Sequence, residues 1–387
     1  MSKGLLKRIF VLLAGGLFNV AYRMCCCFSR RDEVLFVSRK SKTPSYDYLE
    51  CAKAFERHGY AAVFLSGHLK KGETFAYIKL VFRQIYHLAR CRVCVIDRYD
   101  PVISLLSLRS VREDAPNSFN NDISVEPVVI QLWHAFGAFK KFGYQCLDMP
   151  EGHTREEAEL FKIHRNNSWV ICSGEGARAA FSEAFSCPAD RVIPLGRPEY
   201  RRLLELGSSN IGVCGETDKY RVLFAPTIRK YDNDTDPFAV LKQAMPECLD
   251  GSAFDLLWSD HPLASGSDVV ESSLERLLEA DLVITDYSSI VYEAYLLKKP
   301  VLFFEPDIKH YRYTPGLNVD PTVKCPDLVF FDCGSLSKAV EGLKDGSRNY
   351  EFSQLDNFVG AAFDGASVDP AEALADFVCE GLAKGAL

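Results

Sequence analysis

Four short stretches hold residues whose types and spacing could do chemistry. Trp133-His134 ends the run PVVIQLW, and Gly137, Lys140, Lys141 and Gly143 follow within ten residues. Thr227 and Arg229 follow RVLFAP, Asp260 and His261 follow FDLLWS, and Asp286, Ser288 and Ser289 follow DLVIT. A histidine has the ordinary pKa best suited to proton removal near neutral pH, so His134 is a candidate general base. A hydrogen-bonded histidine packed under Trp133 would leave the same sequence. Glycines let a backbone approach a ligand closely and lysines meet phosphate, although two adjacent lysines often simply face water.

In TDYSSIVYEAYLL the apolar period changes from strand to helix at Tyr287-Ser288. Ser288, Ser289 and the first free N–H groups then sit at a helix start, where donors and the positive end of the dipole favour an anion. An Asp286 or Ser288 that merely caps the helix explains the same turn. The run YDNDTDP places Asp232, Asp234 and Asp236 like the opening of a calcium loop. Pro237 at its sixth position and Gln243 at its twelfth do not fit one. No metal site is expected, and a solvated turn is the simpler account of these aspartates.

The elements that must position these residues repeat one rhythm from Glu33 onwards. Apolar runs at 33–38, 60–66, 92–97, 127–133, 168–174 and 192–196 alternate with amphipathic stretches such as YDYLECAKAFERHG. After a Gly- and Ser-rich linker at 206–219 the rhythm resumes with runs at 221–227, 254–260, 281–287, 300–306 and 328–333. Continuous apolar strands alternating with helices predict parallel sheets covered on both faces. The fold class is therefore α/β, with two doubly wound parallel-sheet (Rossmann-like) domains, residues 31–207 and 218–387, facing a cleft. Ligands in such sheets sit at the carboxyl ends of strands, where all four stretches fall.

The totals agree with this plan. A chain of 387 residues suits two domains, and 48% hydrophobic with 25% charged residues is ordinary for a globular protein. A net charge of −7 argues against a nucleic-acid partner. The 14 cysteines are scattered through apolar segments, as reduced and buried cysteines are. Residues 1–30 differ from the rest. Lys3, Lys7 and Arg8 precede the 14 uncharged residues IFVLLAGGLFNVAY, closed by Arg23. That run is shorter than the ~20 residues of a bilayer span, and the expectation is a helix lying in a membrane surface, its basic residues towards anionic headgroups.

Taken in order, W-H, A-P-T-x-R, H-P and T-D-Y-S-S, each closing a strand, resemble the CDP-glycerol glycerophosphotransferase family of teichoic acid assembly. GRPEYRRL, KKPVLFFEPDIKHY and FDGAS extend the resemblance from about Glu33 to the C-terminal helix. It implies a GT-B architecture, a CDP-activated polyol as donor held by the second half, and a lipid-linked saccharide or polymer as acceptor entering from the first. It implies His134 and His261 as catalytic residues, and Thr227, Arg229, Ser288 and Ser289 as ligands of the donor phosphates. Gly137, Lys140, Lys141, Asp286 and Glu293 would support them, with Glu293 standing where the family often has aspartate. No cofactor beyond the donor is implied, and the place of action would be the cytoplasmic face of the cell membrane. In-line attack by an acceptor hydroxyl would then move polyol phosphate and release CMP. A nucleotide-sugar transferase or epimerase of the same fold, and a non-catalytic membrane-peripheral binding protein, are the alternatives.

Overall fold

A computed structural model describes residues 3–40, 42–67, 73–110, 125–209, 219–227, 237–259 and 273–383. It divides into two compact units. The first contains residues 1–135, 153–199 and 365–387, and the second contains 136–152 and 200–364.

The first unit is built on a six-stranded parallel sheet. Its strands are β1 (Glu33–Ser38), β2 (Ala61–Ser66), β3 (Val93–Ile96), β4 (Val128–Gln131), β5 (Trp169–Ile171) and β6 (Val192–Ile193), in the order β2-β1-β3-β4-β5-β6. The central strands β1, β3 and β4 are buried along their whole length, so apolar residues occupy both faces of the sheet. On one face α2 (Tyr46–Arg57) contributes Tyr48, Cys51 and Phe55 to the core. On the other, α1 (Lys3–Cys25) and α3 (Thr74–Leu88) contribute Tyr22, Val81, Ile85 and Leu88. The second unit carries a five-stranded parallel sheet of β7 (Tyr220–Ala225), β8 (Phe254–Trp258), β9 (Leu282–Thr285), β10 (Val301–Phe304) and β11 (Val329–Phe330), ordered β8-β7-β9-β10-β11. The expected strand sequence and the doubly wound class both appear.

The expected boundaries at 31–207 and 218–387 differ from the two units in three places, the shortest being residues 200–207, which fall in the second unit. Helix Pro370–Ala383, expected in the second domain, packs on α2 and lends Leu374, Ala375 and Val378 to the core of the first unit. Conversely, residues 136–152 join the second unit, where Phe136 and Phe139 enter its core. The physical reason is the same in each case: the apolar side chains find their cover on the other sheet. Periodicity along the chain carries no record of that choice.

Candidate functional site

In the first unit the site is built at the carboxyl edge of β1, β3 and β4. Register pairs Val37 with Ile96 and Ile96 with Gln131, so Asp97 and the Leu132–His134 segment leave the sheet side by side. Trp133 turns the chain with a positive φ of 61°, a conformation that costs a bulky side chain energy. Its N–H donates to Gln131 Oε1 (3.1 Å), and its ring meets Phe185 edge-on at 5.2 Å and lies 4.2 Å from the His134 ring. These contacts hold the turn and aim the imidazole.

His134 Nδ1 lies 3.1 Å from the carbonyl oxygen of Asp97. A carbonyl only accepts, so Nδ1 carries the proton and Nε2 keeps its lone pair. The same aspartate is held by its side chain, whose Oδ2 accepts from Ser38 Oγ at 2.7 Å. Desolvation is the main reason that the His134 pKa falls from 6.5 to about 3; the charges of Arg98, Arg197 and Lys40 act the same way, and the Asp97 carbonyl opposes them. His134 nevertheless keeps exposed surface, so it is the direction, towards a neutral ring, that matters for chemistry. What results is an oriented imidazole, held towards its neutral form, on a residue that keeps exposed surface.

In the second unit Thr227, Asp286, Ser288 and Ser289 come together where β7 and β9 end. Asp286 is fully buried, and its Oδ1 accepts from the N–H groups of Thr227 (2.8 Å) and Tyr287 (2.6 Å). Thr285 Oγ1 donates to the Ala225 carbonyl at 2.8 Å, tying the same two strands. Of the two residues offered as helix caps, Ser288 does meet the helix start, its Oγ accepting from Ile290 N–H at 3.4 Å, whereas Asp286 does not. The cap of α4 (Ile290–Leu296) is Ser289, whose side chain makes no capping bond. The Asp286 carboxylate is occupied instead by clamping the two strand ends. Glu293 stands half-buried in the first turn of α4.

Gly137 also does something other than expected. Its φ is +58°, and a Cβ placed there would lie 2.1 Å from Cζ of Tyr292. The close approach that glycine permits is therefore to the Tyr292 ring, inside the second unit, rather than to a ligand. Lys140 and Lys141 run beside residues 316–318. Lys140 bridges Leu317 in antiparallel fashion, its carbonyl accepts from Asn318 Nδ2 at 3.2 Å, and Lys141 N–H donates to Gly316 O at 2.9 Å. Their main chains are thus structural, and their side chains are half-buried. Arg229, His261 and the aspartates of YDNDTDP lie outside the described residues.

Sequence reasoning missed two contributors. Asp97 orients the base through its backbone carbonyl, which no residue type reveals, although its position at the end of RVCVID was a usable hint. Tyr292 sits inside an apolar helical pattern and reads as core.

The family model for CDP-glycerol:poly(glycerophosphate) glycerophosphotransferase matches residues 20–359. The chain belongs to this family. It is similar to the teichoic acid ribitol-phosphate primase of Bacillus spizizenii, at 28% identity over 335 residues, 79% of this chain and 82% of that protein. The teichoic acid poly(ribitol-phosphate) polymerase of the same organism is 30% identical over 320 residues, 75% of this chain. The chain spans 47% of that longer relative. The fold of this glycerophosphotransferase-family chain is shared with the wall teichoic acid polymerase TagF, with a TM-score of 0.67 at 16% identity over 98% of this chain and 99% of that one.

Proposed function

We propose that this chain transfers polyol phosphate from a CDP-activated polyol to a hydroxyl of a membrane-linked acceptor in teichoic acid or related surface-polymer synthesis. The observation that carries the reading is the oriented His134 in a member of this family. The acceptor hydroxyl attacks the β-phosphorus of CDP-glycerol or a close relative, His134 Nε2 takes the hydroxyl proton, and the bond to CMP breaks. General-base assistance of this kind is worth about 10²–10⁴-fold.

Thr227, Ser288 and Ser289 are assigned to the donor phosphates, with Arg229 and His261 adding charge. Phosphoryl transfer is chiefly positioning and electrostatics, so these groups suffice without a resident metal or organic cofactor. Purified protein should release CMP from CDP-glycerol or CDP-ribitol when a lipid-linked acceptor is present. Thermal stabilisation by UDP-sugars with none by CDP-polyols would defeat the reading.

The same reading places the protein on the cytoplasmic face of the membrane through α1. This helix spans 23 residues, longer than its uncharged run, and Gly4–Cys25 is long and apolar enough to cross a membrane. One side is nevertheless committed to the first unit. Val11, Gly15 and Tyr22 are buried, Asn19 Nδ2 donates to Leu105 O at 3.0 Å, and Asn19 Oδ1 accepts from Ser107 N–H at 2.7 Å. The other side exposes Phe10, Leu12, Leu13, Leu17 and Val20. The neighbouring α3 adds exposed Phe75, Ile78 and Phe82 beside Lys79 and Arg83. Neither helix contains an acidic residue in a chain of net charge −7, which suits an interfacial helix pair on anionic lipid.

A further inference from the structure

We infer that Ser38 is a positioning residue for the transfer: its hydroxyl locks the Asp97 side chain, and the Asp97 carbonyl in turn holds the His134 ring in the tautomer that can take a proton. The inference rests on the proposed transfer and adds to it a residue that acts only through another.

Register sets these residues in a row. Val37 pairs with Ile96 and Ile96 with Gln131, so Ser38, Asp97 and Leu132 are neighbours where β1, β3 and β4 end. Leu132 N–H donates to the Ile96 carbonyl at 2.8 Å, and Gly67 N–H donates to the Ser38 carbonyl at 3.0 Å. From α2, the buried Tyr48 hydroxyl donates to the Val37 carbonyl at 2.7 Å. The peptide units before and after Ser38 are both fixed in this way.

The side chains then have one consistent arrangement. Lys40 N–H lies 3.3 Å from Ser38 Oγ and can only donate, so the hydroxyl hydrogen is left for Asp97 Oδ2 at 2.7 Å. Asp97 Oδ1 accepts from Arg98 Nε at 3.3 Å, which commits the second oxygen. Of the two anchors, Ser38 makes the shorter bond and is 5% exposed, whereas Arg98 keeps 34% of its side chain exposed, so water screens its pull. Asp97 is itself buried, and a buried carboxylate deprived of a partner is costly. Anchored on Ser38 by its side chain and tied to Leu132 through the preceding carbonyl, Asp97 keeps its own carbonyl on His134 Nδ1, 3.1 Å away.

An imidazole can carry its proton on either nitrogen, and the hydrogen bond made at one nitrogen decides which. A proton on Nε2 would leave that nitrogen unable to accept from an acceptor hydroxyl. Ser38 therefore bears on turnover, because the residue it anchors is the one whose carbonyl selects the tautomer of the base.

The test reads the His134 tautomer by nitrogen NMR on histidine-labelled protein, the His134 signals being those lost in His134→Gln. The unaltered protein should show Nδ1–H, and Ser38→Ala should populate Nε2–H. The same variant should lower kcat by about 10–100-fold through misplacement of the base, with KM for CDP-glycerol held. Ser38→Thr, which keeps the hydroxyl, should restore both readings. Asp97→Asn, which leaves Ser38 and Arg98 a single acceptor oxygen between them, is the second variant should Ser38→Ala not fold, and a shift in the same direction is expected. A folded Ser38→Ala or Asp97→Asn protein that keeps the Nδ1–H form overturns the inference whatever its Tm, because a merely structural tie would cost stability and leave the tautomer alone. Full turnover in His134→Gln would instead overturn the parent reading, while the tautomer would still report on Ser38.

Discussion

The proton on His134 Nδ1 points at the Asp97 carbonyl 3.1 Å away, and this contact decides which nitrogen of the ring is free to act. A side chain chosen for its ordinary pKa is thus given one tautomer by a backbone atom from the neighbouring strand. The adjacent Trp133, strained at positive φ, keeps the ring in that pose.

His134→Gln should lower kcat by about 10²–10⁴-fold while leaving KM for the donor nearly unchanged, because glutamine preserves much of the shape but cannot accept the proton. A CMP-release assay with saturating donor reads the effect. Wild-type turnover in this variant would remove His134 from the chemistry.

The pH profile follows from the direction of its shift. A base must be unprotonated to work, and His134 is held below its ordinary 6.5. Activity should therefore persist as pH falls through 6.5 and fail only further into acid. An acid limb centred near 6.5 in kcat/KM would contradict the environment described for the ring.

Stability has its own acid dependence, through His164. This residue is buried, and desolvation lowers its pKa from 6.5 to about 3. Between these values the unfolded chain binds the proton and the folded chain does not, so folding free energy is lost as pH drops below about 6.5, by up to ~1.4 kcal/mol per pH unit for one group. Urea unfolding at pH 7, 6 and 5 should show the decline, and His164→Phe should flatten it.

Gly137→Ala should destabilise the second unit by roughly 2–4 kcal/mol, since it combines a positive φ with a Cβ that meets the Tyr292 ring. A fall in Tm of several degrees is the expected reading. An alanine variant as stable as the parent would show that the Tyr292 ring can move aside without cost.

Asp286→Ala and Ser288→Ala should separate structure from binding. Removing the carboxylate leaves two buried N–H groups, of Thr227 and Tyr287, without their acceptor and costs about 2–4 kcal/mol, with weaker donor binding as the turn loosens. Ser288→Ala should raise KM for the donor with little change in Tm. Equal thermal losses in both variants would assign Ser288 to the scaffold instead.

Much of this was legible along the chain. Runs such as EVLFVS and DLVIT are apolar without alternation because parallel strands are covered on both faces, and that property is local. The motifs at the ends of those runs therefore located His134, Thr227, Asp286, Ser288 and Ser289, and their order marked the family. The N-terminal helix was visible as well, although its uncharged core understated its 23 residues.

What composition and spacing determined, then, was the class of fold, the strand ends that carry polar chemistry and the residue types placed there, since each depends on side chains within a few positions of one another. Tertiary structure alone decided that residues 136–152 and Pro370–Ala383 cover the other unit's sheet, that Asp286 clamps two strands rather than capping a helix, and that Gly137 makes room for Tyr292. Each of these joins groups far apart in the chain. Their partners are selected by burial and hydrogen-bond satisfaction in three dimensions, which the order of residues does not display.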